Sequence, residues 1–101
     1  MKILGSIVSL AALSLIFATG ASAYTGEKLA RGAHVTMEEA TTIALKARPG
    51  RITDKELEKE KGGSGLRYSF DVTSADGKYE VGVDAMSGKV LENGREGAHP
   101  D

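Results

Sequence analysis

The sequence predicts an α+β domain, with one amphipathic helix laid on the apolar face of a small antiparallel sheet. Three observations lead there. A capped segment beginning at Thr36 carries apolar residues at helical spacing. Leu66, Tyr68, Phe70 and Val72 alternate with Arg67, Ser69, Asp71 and Thr73, the period of a half-buried strand. Asp76-Gly77 then leads into a second alternating run, Tyr79, Val81 and Val83, as in a hairpin. A length of 101 residues fits a single domain.

The opening residues read as an export segment. Lys2 supplies a short positive region, residues 3–17 are apolar apart from Gly and Ser, and Ala21-Ser22-Ala23 has the small-x-small pattern of a signal-peptidase site. The apolar run stops at Thr19-Gly20, short of the roughly 20 residues that a spanning helix needs. Residues 1–23 are therefore expected to be a signal peptide, leaving no membrane span after cleavage. The mature chain would keep 78 of the 101 residues, with 12 basic against 14 acidic side chains. The expected destination is the periplasm or the medium.

Residues 24–34 are polar, hold two Gly and show no period, so they read as a leader with little structure. Thr36 followed by Glu39 fits a capping box. Met37, Ala40, Ile43, Ala44 and Ala47 then share one stripe, and Arg48-Pro49-Gly50 closes the helix. Leu45 lies opposite that stripe and reads as a lone exposed residue, a contact with the leader, or a contact with a partner. Residues 51–61 (RITDKELEKEK) are ambiguous. Their composition favours helix, yet Ile52 and Leu57 are the only apolar residues a helix could bury. As a strand they would set Thr53, Lys55, Leu57 and Lys59 on one face and Asp54, Glu56, Glu58 and Glu60 on the other. Residues 62–65 form a Gly-rich connection, and residues 84–88 (DAMSG) a tight turn before the apolar pair Val90-Leu91. Residues 94–101 read as a flexible tail.

These segments together resemble the PepSY domain, named for peptidase propeptides and the YpeB protein. The matching stretches are MEEATTIALKA (residues 37–47), Pro49-Gly50, Glu56-Leu57-Glu58, YSFDV (68–72), Asp76-Gly77-Lys78 and YEVGVDAMSGKVL (79–91). The last is the most specific, with Asp84, Gly88 and Val90 in the family's order. The resemblance covers residues 35–93 and implies a helix followed by three antiparallel strands, which makes residues 51–61 a strand. It also implies a domain without catalytic residues of its own, of the kind found in propeptides that restrain metallopeptidases and in stand-alone exported proteins.

Composition excludes several classes of function. A net charge of −1 argues against nucleic-acid binding, which calls for a basic face. The lack of Cys removes disulfides, Cys-ligated metals and thiol nucleophiles. His34 and His99 stand outside the resembling region, so no defined ligand set for a metal is expected, and no cofactor. Ser64 has no histidine in that region to act as its base, and residues 62–65 lack the Lys of a phosphate loop.

Strand alternation collects Asp54, Glu56, Glu58, Glu60, Asp71, Glu80 and Asp84 on the face away from the helix, with Arg67 among them. That face is either a solvated surface or a docking site for a basic patch on a protein, with Arg67 fixing register. The expected function is an exported, non-catalytic interaction module that binds or restrains a peptidase or another envelope protein. The alternative is a small-ligand or cation-binding envelope domain.

Overall fold

The computed structural model describes residues 23–97. The expected signal peptide, apart from Ala23, lies outside the described residues, as does His99.

The helix α1 (Met37–Ala47) starts as its capping box requires. The Glu39 amide donates to Thr36 Oγ1 at 3.1 Å, and the Thr36 amide donates to Glu39 Oε1 at 2.9 Å. Two amides of the first turn region are thereby satisfied, an arrangement worth about 1 kcal/mol. At the other end the Arg48 amide still donates to Ala44 O at 2.8 Å, and Pro49 has no N–H with which to continue. Met37, Ala40 and Ala44 are buried, and their small or flexible side chains let the helix lie close to the sheet.

That sheet has four strands in the order β1 (Arg51–Lys59), β2 (Leu66–Ser74), β3 (Gly77–Asp84) and β4 (Val90–Arg95). All three pairings are antiparallel. Leu57, Tyr68, Phe70, Val72, Tyr79, Val81 and Val83, the apolar face expected from alternation, are all buried, and Ala85 joins them. Residues 51–59 are a strand, as the resemblance implied. A bulge between Ile52 and Asp54 shifts the register of β1. Ile52 therefore opposes Val72 while Leu57 opposes Tyr68, which puts both apolar residues of β1 toward the core although they lie an odd number of positions apart.

The fourth strand corrects the expectation of three. Its sequence, VLENGR, has too little alternation to be read as a strand, because an edge strand that is half solvated need not be apolar. Polar side chains anchor it instead. Asn93 Nδ2 donates to Ala47 O at 3.2 Å, and Arg48 Nε donates to Asn93 Oδ1 at 3.1 Å. The Arg48 and Arg95 guanidinium groups approach the Tyr79 ring at 3.8 and 5.0 Å from its centroid, cation–π contacts of modest strength each. Gly94 and Arg95, expected in the tail, belong to this strand.

The leader is also more ordered than its sequence suggested. Residues Glu27–Gly32 form a short 3-10 helix, and Thr25 bridges Glu56 in parallel fashion. The Leu57 amide donates to Thr25 O at 2.9 Å. Gly26 sits at φ 85°, and a Cβ there would collide with the Leu57 carbonyl, so glycine is required. Tyr24, Leu29, Ala30 and Ala33 pack on the core, and the His34 and Val35 amides both donate to Ala85 O. The leader thus covers the outer edge of β1. Its apolar positions are diluted by Gly and charge, which hid them from a periodicity reading.

Candidate functional site

The outer face of the sheet is built by register. Asp54 opposes Asp71, and Asp71 opposes Glu80, so three carboxylates stand side by side across β1, β2 and β3. One row along, Glu56 opposes Ser69, Ser69 opposes Gly82, and Gly82 opposes Glu92. In the third row Glu58 opposes Arg67, and Arg67 opposes Asp84. A shallow concavity of about 650 Å³ runs over these rows, lined by Asp54, Glu56, Glu58, Glu60, Arg67 and Glu80 among others. The sheet therefore brings all eight charged residues expected on this face to its outer side, and adds Glu92.

Their environments are not alike. Arg67 is only 8% exposed. Its Nη2 donates to Lys61 O at 2.9 Å, its Nη1 lies 3.4 Å from Glu92 and 3.9 Å from Glu60, and its Nε is buried without a hydrogen-bond partner. The aliphatic stem of Arg67 fills the space beside Gly82, where a Cβ would stand 2.9 Å from Arg67 Cδ. Within its own sheet this cation stands at the Glu60–Glu92 end and offsets the charge there.

Asp84 departs further. It is 2% exposed and accepts from the Ser64 amide and hydroxyl, both at 2.8 Å, through Oδ1. Through Oδ2 it accepts from the Met86 and Ser87 amides and the Ser87 hydroxyl at 2.9–3.2 Å. Burial opposes its charge, but these donors from Ser64 and Ser87 prevail and hold the carboxyl well below the usual carboxylate range. Gly63, at φ 57°, passes so close that a Cβ would come within 2.6 Å of Asp84 Oδ1. Asp84 thus ties the 62–65 loop to the turn after β3. The same bonds account for Ser64.

Other carboxylates of this face are shifted upward. Burial, then the neighbouring charges of Glu96 and Asp54, push the Asp71 carboxyl up, with Lys78 acting the other way. Burial and then Glu58, Asp54, Asp71 and Glu60 raise Glu56. Glu60 is raised by a hydrogen bond with Glu58, by burial and by the Glu58 charge. Glu58 itself accepts from Ser69 Oγ at 2.7 Å. One oxygen each from Asp71, Glu80 and Glu96 lies within 4.8 Å of the others; carboxylates at a surface often gather so without an ion.

A family model described as "Peptidase propeptide and YPEB domain", PepSY, matches residues 35–93, more than half of the chain. The chain belongs to the PepSY family. No curated protein and no solved structure matches it. The PepSY match begins at Val35 and ends at Asn93, so the leader that covers β1 lies outside it, as do the last two residues of β4.

Leu45 lies outside the acidic face. It is half-buried against the core and lines a groove with Tyr24, Thr25, Thr41 and Ile52. A further concavity, between leader and helix, is lined by Tyr24, Ala30, Val35, Met37, Lys55 and Tyr68 among others. There the Tyr68 hydroxyl donates to Val35 O at 2.6 Å. Burial, then the Tyr24, Glu38 and Glu39 charges, push its phenol up to about 12. His34 is joined to the turn after β3 through its backbone and forms no ligand cluster among the described residues. Among them no helix is long and apolar enough to cross a membrane.

Proposed function

We propose that this PepSY chain is an exported, non-catalytic module that docks a basic surface of a partner protein, a peptidase in the first instance, through the outer face of its sheet. The observation that supports the reading is the row Asp54, Asp71 and Glu80, set opposite one another on three adjacent strands. Like charges directly opposite are destabilising in a sheet, and a cationic partner would relieve that repulsion. Opposed charge also speeds encounter, an effect that salt screens over about 10 Å at 0.1 M. Family membership supports the peptidase as partner, because the family description names peptidase propeptides. Ser64, the nucleophile considered from sequence, has its hydroxyl bonded to Asp84, which favours a binding role over hydrolysis.

The test is charge reversal on this face. Glu58 opposes Arg67 and bonds Ser69, so its reversal would damage the fold. The informative variant is Asp54→Lys with Glu56→Lys. A partner captured by crosslinking in cells should associate more slowly as salt is added and fail to associate with the double variant, whose Tm stays at or above that of the parent. Unchanged association would overturn the docking role. A Tm that rises with calcium or magnesium, with no protein partner captured, would instead favour the cation-binding alternative.

A further inference from the structure

The two edges of the sheet are treated differently. Along β1 the leader supplies Thr25, whose carbonyl takes the Leu57 amide, and Lys55 and Lys59 add charge. Among the described residues nothing pairs with the outer edge of β4. The Glu96 amide donates inward to Lys78 O, so by antiparallel alternation the amides of Asn93 and Arg95 point away from the sheet. Strand β4 holds neither Pro nor Lys, the residues that commonly protect an edge. Val90, at its start, is the exposed large hydrophobic among the described residues.

We propose that β4 accepts an added strand, an extended peptide segment with lysine or arginine at alternate positions and aliphatic residues between them. The inference rests on the acidic-face reading and narrows it to a binding mode. Backbone bonds to an open edge provide affinity without regard to sequence, and alternate side chains provide selectivity. On the outer face of an added strand, cations would stand beside Glu92 and Gly94. Gly94 has no side chain, and its neighbour across β3 is Glu80. A long basic side chain opposite Gly94 would therefore reach over it toward Asp71, Glu80 and Glu96, whose oxygens lie within 4.8 Å of one another. On the helix side the aliphatic residues would stand beside Asn93 and Arg95, which oppose Val81 and Tyr79 of β3. Charge complementarity selects a basic segment, and the unpaired edge selects an extended one.

Two capped peptides test this, one alternating lysine with valine and the other lysine with proline. They match in charge, but the second has half its backbone donors removed and cannot pair as a strand. The valine peptide should bind about tenfold more tightly at low salt, the worth of one or two net backbone hydrogen bonds. It should also slow hydrogen exchange at the Asn93 and Arg95 amides. Asn93→Pro and Asn93→Ala both lose the side-chain bonds to Ala47 and Arg48, but only the proline loses the outward amide. The proline variant should weaken the valine peptide about tenfold relative to the alanine variant and leave the proline peptide unaffected. Equal binding of the two peptides, or unprotected Asn93 and Arg95 amides, overturns strand addition while the acidic face stands. If neither peptide binds, strand addition and the acidic-face reading fall together. Should Asn93→Pro not fold, exchange at the two amides of the unaltered protein decides.

Discussion

On the helix side of the sheet Phe70 and Val81 are each 1% exposed and Val83 is fully buried, three apolar residues sharing one environment. On the outer side Arg67, Asp71 and Asp84 come from the same strands and share no environment at all. Arg67 and Asp84 are buried and bonded, while Asp71 faces carboxylates on either side. The difference follows from what holds each face together. Apolar burial is non-directional and roughly proportional to area, so any residue on the helix side gains by it. A charge gains only where donors or an opposite charge are aimed at it, and here most of those come from loops that alternation does not describe.

The largest way to break the comparison is on the apolar side. Phe70→Ala should cost about 3–5 kcal/mol, much of the total stability of a domain this small. Denaturant unfolding measures it, and a variant that melts within a few degrees of the parent would contradict the packing. Next comes Asp84→Ala, which leaves the amides of Ser64, Met86 and Ser87 without their acceptor. We expect a loss of about 2–4 kcal/mol, far above that of an exposed carboxylate. A neutral result would return Asp84 to the solvated face.

The pH dependence of Tm sharpens the contrast within the outer face. Asp84 titrates below the usual range when folded, so its contribution is complete above the unfolded value of about 4 and is lost as pH falls beneath it. Glu56, Glu60 and Asp71 are shifted upward. They bind protons more tightly in the folded state, and the stability this gives at low pH is lost as pH rises through their folded pKa values. Stability should therefore peak in weak acid, falling steeply on the acid side and gently toward neutrality. Asp84→Asn should remove most of the acid limb, and Asp71→Asn should flatten the other.

The smallest effect is a gain. Asp71→Asn removes the middle carboxylate of the Asp54–Asp71–Glu80 row and should stabilise the fold at neutral pH by about 0.2–1 kcal/mol. The gain should shrink in high salt, where the repulsion it relieves is already screened. A loss of stability would mean that the attraction of Lys78 for Asp71 outweighs the repulsion.

Much of this was legible in the sequence. The helix and its cap are local: Thr36 and Glu39 lie three residues apart and need no distant partner. The hairpin of β2 and β3 and its inward residues follow from a two-residue period around Asp76-Gly77. Residues 51–59 were undecided by propensity and became a strand through the family resemblance, because what stabilises them is pairing with β2 rather than their own preference. β4 and the leader were missed for a related reason. Asn93 gains its meaning from Ala47 and Arg48, some 45 positions earlier, and Thr25 from Leu57.

The sequence by itself determined the periods of β2 and β3, and hence which of their residues face the helix and which charges lie on the opposite face. Tertiary structure alone decided which of those charges are satisfied. It closed the 62–65 loop and the turn after β3 around Asp84, and it folded the leader over one edge of the sheet while leaving the other open. Periodicity acts between neighbours along the chain, whereas hydrogen bonds and ion pairs form between groups that only the folded chain brings together.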